Sequence, residues 1–556
     1  MRSDNSESKE AQAVIIDGYV DEPACLGVSP YISPYVRYAA GVCAERGFNT
    51  GYYTIDQLRK NPAIFSELKR SDCVIVISGV TVPGKYFAGT PATATEIMQI
   101  GESLTEPETF FGGPLNLGYS GGGGHYAEKQ CFSSYDHILE GEIGSALDNA
   151  LSGRKPEGKL NYEKIDRFST AGSFIIKKHP RFPYVICEME TARGCSRSVT
   201  GGCSFCTESV YGEPVFRSME GIFAEAGALH ENGAQHIRVG RQPDILAYGA
   251  KTGDEFPEPK PDIIERLFSG IRKNAPSLHT LHIDNVNPGT IAAHEEEAKE
   301  ALRAIVRWHT AGDVAAFGLE SADPAVVSAN NLKASAEEVM RAIEIVNEVG
   351  AVRRDGIPEL LPGINFVTGL LGETADTYRL NLEFLREVVR RGLLVRRVNI
   401  RQVMPFEGTD AYEKNTIGMH DKEFKAFKDD VRRNFDLPML KRVFPAGTIL
   451  KEIFIEESGK TSFGRQMGSY PILVGIPEET EEGTVTDAAV TDWGFRSVTA
   501  MTVPVRINEL SIHALKYLPG VGKKRAASII SKRPFKNIEE FRKITGETPV
   551  DDIIKF

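Results

Sequence analysis

Between Tyr184 and Pro405, six short apolar runs alternate with longer amphipathic stretches: Tyr184 to Met189, His236 to Gly240, Leu281 to Val286, Val314 to Ser321, Gly363 to Glu373 and Val398 to Pro405. That alternation limits the fold more than any other feature. Short apolar runs bounded by Gly and Pro read as strands, and helix-period spacers between them argue for βαβ units on a parallel sheet. One spacer shows the pattern in full: Val339, Ile343 and Val346 share a helical face, Ser335 and Glu338 form a capping box, and Gly350 marks the end. Six strand–helix alternations predict a partial (β/α)6 barrel, with its chemistry at the C-terminal strand ends.

The loop after the first strand holds three of the chain's eight cysteines, Cys195, Cys203 and Cys206. Thiolates are soft ligands that suit zinc or iron–sulfur clusters, both of which usually take four. No second CxxC or CxxH pair follows. A closed zinc site would have to borrow Cys187 or a distant His, whereas a cluster on three cysteines leaves one iron open. The loop resembles that of the radical SAM superfamily, whose three cysteines hold a [4Fe-4S] cluster and whose remaining iron is chelated by S-adenosylmethionine (SAM). Phe205 matches the aromatic residue placed before the last cysteine. The first gap departs from the pattern, with seven residues between Cys195 and Cys203 where three are usual; Gly201 and Gly202 are expected to let the longer loop close.

Three further segments carry the resemblance over about residues 184–410: FGLESADPAVV, INFVTGLLGET and VMPFEGT resemble the fourth, fifth and sixth strand segments of the superfamily. By that resemblance Glu320 and Ser321 approach the SAM ribose or methionyl group, and the turn from Gly369 to Glu373 the adenine. Gly240, Arg241 and Gln242 stand where a Gly-Gly-Glu segment normally binds the methionyl amine. Arg241 puts a cation where an acid is expected, and its planar fork suits the SAM carboxylate or a substrate anion.

The flanks supply the domain plan: a disordered head at 1–12, a Rossmann-like domain at 13–177, the barrel at 178–445, a small β-barrel at 446–505 and a last segment at 506–556. Residues 13–177 resemble the cobalamin-binding-type domain found ahead of many radical SAM cores, yet the DxHxxG loop that presents a lower-ligand His is absent, leaving His125 as the candidate. The run from Ser71 also resembles the N-terminal domain of methylthiotransferases, with Gly79 where a cluster cysteine is expected; Cys25, Cys43 and Cys73 read as core thiols. The glycine run Gly121 to Gly124 reads as a flexible loop. Residues 446–505 resemble the RNA-binding TRAM domain, with Arg465, Tyr470, Trp493, Phe495 and Arg496 as a candidate stacking surface. The last segment contains LPGVGKKRA and matches the helix-hairpin-helix motif, with Leu515, Leu518, Ile529 and Phe541 as packing residues. Gly520 and Gly522 sit at a helix N-terminus beside Lys523, Lys524 and Arg525, which makes a phosphate site that ignores base identity, while the same fold also serves as a protein-docking module.

Charge supports a separate role for that tail. From Arg506 onward there are 11 Lys and Arg against 6 Asp and Glu, a surplus of +5, in a chain of net charge −11. No run of 18 apolar residues occurs and the polar start lacks a signal-peptide core, so the expected location is cytoplasmic, without a membrane span and with reduced thiols. The resulting expectation is an α/β radical SAM enzyme with [4Fe-4S] and SAM as cofactors and a one-electron reductant such as ferredoxin or flavodoxin as partner. Its expected work is to methylate, methylthiolate or otherwise functionalise a C–H bond of tRNA or rRNA. Two alternatives stand beside it: a cobalamin-assisted alkyl transferase acting on a lipid, metabolite or protein, and a metal-bound nucleic-acid adaptor. In domain order the chain resembles archaeal-type radical SAM proteins with a C-terminal helix-hairpin-helix.

Overall fold

The computed structural model describes residues 11–22, 25–80, 87, 89–354 and 356–556, so residues 1–10 of the expected disordered head lie outside the described residues. The chain forms two compact units, Met1–Asn285 with Gln402–Ile417, and Val286–Arg401 with Gly418–Phe556.

The first unit starts with a parallel sheet. Strand β1 (Gln12–Glu22) lies between β2 (Asn49–Thr54) and β3 (Cys73–Val80), and the sheet continues through β4 (Glu108–Gly112) and β5 (His137–Gly141). Both faces of such a sheet are covered, which is why β1 reads as a near-continuous apolar run. After β1 the chain enters helix α1 (Pro34–Glu45), with Pro34 pre-set for the first turn. Cys43 in α1 and Cys73 at the start of β3 are buried thiols, as expected, and burial pushes both thiols up.

Asp17 interrupts the apolar run of β1. It is fully buried and accepts hydrogen bonds from the Tyr52 hydroxyl at 2.8 Å and the Tyr19 N–H at 2.9 Å. Burial outweighs both bonds and raises its pKa from 3.8 to about 7. The folded state therefore holds this proton more tightly than the unfolded chain. Between the two values stability falls as pH rises, by about 1.4 kcal/mol per unit. Asp17→Asn is expected to gain on the wild type from about pH 4 to about pH 7, read as a rise of its thermal midpoint relative to that of the wild type; a constant difference would contradict it.

A second parallel sheet of this unit carries the cysteine loop. It pairs β6 (Ile186–Glu190) with β7 (His236–Gly240), and β7 with β8 (Thr280–Ile283). Tyr31–Ile32 adds to the other edge of β6, so a segment from near the N-terminus completes the strand that launches the loop. The glycine run docks on the returning segment 402–417: the Gly124 N–H meets the Val403 carbonyl at 3.0 Å and the Ala127 N–H the Pro405 carbonyl at 2.9 Å.

In the second unit β9 (Asp313–Glu320) pairs in parallel with β10 (Leu360–Thr368), and β11 (Arg397–Gln402) follows β10. The six expected strands are all present, three in the sheet of β6 to β8 and three in the sheet of β9 to β11. The capping box of Ser335 and Glu338 opens helix α2 (Ala336–Gly350) as its sequence requires. Five strands then close a barrel: β12 (Ile449–Glu457), β13 (Ser462–Gln466), β14 (Leu473–Ile476), β15 (Val485–Trp493) and β16 (Ser497–Thr502), with β14 beside β16.

Three residues of the stacking surface expected on this barrel have partners of their own. Arg465 pairs with Glu456 at 2.6 and 2.9 Å, Trp493 Nε1 donates to the Phe444 carbonyl at 2.8 Å, and the Tyr470 ring lies under Arg397. Phe495 and Arg496 remain exposed, with Arg496 reaching the Val398 carbonyl. The final segment packs Leu515, Leu518, Ile529 and Phe541 into one small core, as the motif requires. Among the described residues no helix is long and apolar enough to cross a membrane.

Candidate functional site

Strand β6, ICEME, is buried along its whole length although it carries Glu188 and Glu190. Residues two apart share a face, so both carboxylates point the same way and each needs a cation. Arg238 lies directly opposite Glu188 on β7, with Nη1 3.0 Å from both of its oxygens, and also pairs with Asp284. Glu190 accepts from Arg193 at 2.9 Å, Tyr38 at 3.0 Å and Tyr162 at 3.1 Å. A dense set of buried charges thus fixes the strand that leads into the loop.

The loop is closed at its base. Ala192–Arg193 pair antiparallel with Val215–Phe216, and the Cys195 N–H donates to the Gly212 carbonyl at 2.9 Å. Within it Ser196–Thr200 make a 3-10 turn, and Gly201 and Gly202 take φ of 90° and 72°, a left-handed region that side chains other than glycine resist. The Gly202 N–H then returns to the Arg197 carbonyl at 2.9 Å. The two glycines close the longer gap in the way expected of them. The segment CSFC forms a tight turn, with the Cys206 N–H on the Cys203 carbonyl at 3.1 Å, and the Ala411 N–H caps the Ser204 carbonyl at 2.9 Å. Phe205 is half-buried beside them.

All three cysteines are half-buried. Burial, then the neighbouring Cys203, push the Cys206 thiol up to about 12, with Cys195 acting in the same direction; the three sulfurs share one electrostatic neighbourhood. Arg197 Nη1 donates to Cys203 Sγ at 3.0 Å, a contact that favours the thiolate.

Glu208 joins this loop to the end of β7. Its Oε1 accepts from the Gly194 N–H at 3.1 Å and from Arg241 Nη1 at 3.0 Å. Arg241 itself is fully buried at φ 49°, an unusual angle for a side chain of its size. Its Nε lies 2.9 Å from the Tyr35 hydroxyl and 3.2 Å from Glu22, and its guanidinium faces the Tyr211 ring. The anion expected to meet Arg241 from outside is supplied by the protein's own Glu208 and Glu22. Its Nη2 is the one donor that stays buried without a hydrogen bond. Gly240 and Gln242 are buried on either side, with Gln242 Nε2 near the Val239 carbonyl.

In the second unit, Glu320 ends β9 at φ 58° and lies 3.9 Å from Lys333, while Ser321 Oγ accepts from the Asp323 N–H at 3.2 Å. The Glu373 carboxylate folds back onto its own turn, accepting from the Gly369 N–H at 2.8 Å and the Tyr378 hydroxyl at 3.2 Å, and burial raises its pKa. At the C-terminus, helix α3 (Lys523–Lys532) begins at Gly522 without a side-chain cap, and Lys523, Lys524 and Arg525 are exposed. Arg525 Nη1 holds the Gly520 carbonyl at 2.6 Å and so stiffens the hairpin that presents the helix start.

Residues 189–385, which include the cysteine loop, match the Radical SAM superfamily. The chain belongs to the radical SAM superfamily. Residues 501–549 match the Helix-hairpin-helix motif. An uncharacterised protein of Archaeoglobus fulgidus is 42% identical over 539 residues, covering 96% of this chain and 98% of that one. An uncharacterised protein of Methanocaldococcus jannaschii is 42% identical over 513 residues, 88% of this chain and 93% of that one. The ribosomal protein uS12 methylthiotransferase RimO of Burkholderia ambifaria is 23% identical over 393 residues, 68% of this chain and 78% of that one. Among solved structures, the radical SAM methyltransferase TsrM of Kitasatospora setae shares 13% identity at a TM-score of 0.48, over 72% of this chain and 74% of that one.

Radical SAM enzymes imply a [4Fe-4S] cluster and SAM. The donor set suits such a cluster: three half-buried cysteines sit in one glycine-hinged loop, and a guanidinium meets one of them. Among the described residues no three His, Cys, Asp or Glu are placed to hold a single metal ion. A cube of four irons asks for a different geometry, with each thiolate reaching its own iron.

Arg197, Glu208 and Glu255 escaped the sequence reading. Arg197 and Glu208 carried a signal in being charged residues next to the cysteines. Glu255 carried none, because only the fold brings it to the loop.

Proposed function

We propose that this radical SAM enzyme modifies a nucleic acid, with RNA as the substrate class. Cys195, Cys203 and Cys206 hold the cluster, and Glu320, Ser321 and the Gly369 to Glu373 turn contribute to SAM binding. The observation that carries the reading is the uncapped start of α3, with Lys523 and Lys524 exposed at its first turn, on a chain whose core is a radical SAM domain. Open backbone N–H groups and the positive end of a helix favour phosphate, and flanking lysines add charge without base preference. When bound, the cluster and SAM supply reductive cleavage of SAM and hydrogen abstraction from an unactivated C–H bond. The chain's own residues close the loop through Glu208 and anchor its launching strand through buried arginines.

Replacing Lys523 and Lys524 together by alanine is expected to weaken RNA binding about equally for all sequences and to lower the slope of log affinity against log salt by about 1.4 to 1.8, two phosphate contacts' worth. An unchanged slope would remove the tail from the binding surface. The decisive experiment is mass-spectrometric nucleoside profiling of tRNA and rRNA from cells with and without the gene. A nucleoside that vanishes, and returns with wild type but not with Cys203→Ala, establishes the reading; a full set of nucleosides in both strains refutes it.

A second reading, cobalamin-assisted alkyl transfer, draws on the first sheet, whose strand order reverses beside β1 as in sheets that bind ligands at their carboxyl ends. His125, the candidate lower ligand, is exposed on a loop held by the Val403 carbonyl. Cobalamin absorbance retained after reconstitution would favour this reading, and its absence would count against it.

A further inference from the structure

The extra residues between Cys195 and Cys203 fold back on Arg197. The carbonyl of Arg197 accepts from the Gly202 N–H at 2.9 Å and from Thr200 Oγ1 at 3.1 Å, so the turn is built around this residue. Its guanidinium is held inside the loop by partners on two sides. Nη1 donates to Cys203 Sγ at 3.0 Å, while Nε and Nη2 meet Glu255 Oε1 at 2.8 and 2.7 Å. The side chain is only 4% exposed, against 27% for Glu255. Ser196 Oγ also donates to the Glu255 carbonyl at 2.8 Å, which pins the acid's backbone to the same turn.

Resting on the assignment of the three cysteines as cluster ligands, we propose that Arg197 sets the reduction potential of the cluster through its hydrogen bond to the Cys203 sulfur, and that Glu255 tempers the effect. Cluster potentials follow net charge, hydrogen bonds to the sulfurs and solvent exposure. Reduction moves one electron from an external one-electron reductant onto the cluster, adding one negative charge while no bond is made or broken. A guanidinium at hydrogen-bond distance from a ligand sulfur stabilises that extra charge more than it stabilises the oxidised state. Its burial keeps solvent screening low. Glu255 brings a carboxylate to the other side of the same guanidinium and cancels part of this field. Arg197 is therefore a positioning residue of opposite electrostatic sign to its partner, and the two substitutions must shift the potential in opposite directions. An arginine that merely braced the turn would not produce that pattern.

The test uses full-length chain reconstituted anaerobically with iron and sulfide, as wild type, Arg197→Gln, Arg197→Lys and Glu255→Gln. Iron and labile sulfide are measured first, and each protein is then titrated redox-potentiometrically in the absence of SAM, with the reduced cluster read by electron paramagnetic resonance. Arg197→Gln is expected to lower the ratio of reduced to oxidised cluster about tenfold at a fixed potential, a downward shift of about 59 mV for a one-electron couple. Glu255→Gln is expected to shift the potential upward, and Arg197→Lys to fall between Arg197→Gln and wild type. Because Glu255 is not a ligand and is partly exposed, its variant gives a reading even where Arg197→Gln loads cluster incompletely. Intact clusters with equal potentials, or shifts of the same sign at both positions, overturn the proposal alone. A wild type that takes up no iron and sulfide overturns the cysteine assignment, and the proposal with it.

Discussion

Cys203→Ala should purify with iron and acid-labile sulfide at background and release no 5′-deoxyadenosine from SAM, where the wild type holds about four irons per chain. The expectation follows from ligand count. Three thiolates already leave one iron without a protein ligand, and two cannot retain a cube whose irons each need an anchor. The fold should survive the change, because the loop is shaped by backbone bonds that do not involve the sulfur: Cys195 N–H to Gly212, Gly202 N–H to Arg197 and Cys206 N–H to Cys203. Far-ultraviolet dichroism like that of the wild type, together with lost iron, would match this account. Iron retained in full would show that Cys203 is not a ligand. Cys187 is no ready substitute, being fully buried on β6 with its thiol pushed up by burial to about 11.

The parts of this fold that were legible in the sequence are those written in local periodicity and turn chemistry. Helix α2 could be read from Ser335 and Glu338 because a capping box needs four adjacent residues and nothing else. The role of Gly201 and Gly202 could be read because left-handed backbone leaves glycine little competition. Pairing across long sequence separations left no such mark. Tyr31–Ile32 joins β6 across more than 150 residues, and two residues carry no periodicity by which to announce it. Arg241 shows the same limit at the candidate site. Its position after β7 and its charge were plain, yet its partners Glu22 and Glu208 lie 219 and 33 residues away along the chain. The sequence therefore showed a cation apparently in need of an anion, and the fold supplies that anion from within. On the barrel, an aromatic and arginine-rich composition suggested a surface for bases, but Arg465 and Trp493 each find a partner inside the unit, which composition cannot reveal.

Glu225→Gln is expected to cost about 3 to 5 kcal/mol of stability at neutral pH, because it strips the shared counter-charge from two buried arginines. Glu225 lies in the helix Met219–Glu231 and is fully buried, as are Arg37 on α1 and Arg217. Arg37 reaches it at 2.6 Å, and Arg217 pairs with its other oxygen while also holding Asp166 at 2.6 Å. Burial alone would raise the Glu225 pKa, but the two guanidiniums outweigh it and hold the carboxyl below its usual value. A depressed carboxylate pKa means that its stabilisation is fully present above the unfolded-state value and is lost as pH falls through the folded one. The gap between Glu225→Gln and wild type, measured by chemical unfolding, should thus be widest near neutrality and shrink in acid. A gap that grew in acid would reverse the assignment. The double substitution with Arg37→Met should cost less than the sum of the two single changes, since it removes one of the two buried cations that Glu225→Gln leaves without their shared carboxylate. The same arginines also touch β6 directly: Arg37 Nη2 donates to the Glu188 carbonyl at 2.5 Å and Arg217 Nη1 to the Glu190 carbonyl at 3.4 Å. Glu225 therefore orients the two cations that hold the strand leading into the cysteine loop. Its variant should release reconstituted iron to a chelator faster than wild type, at a pH where both remain folded.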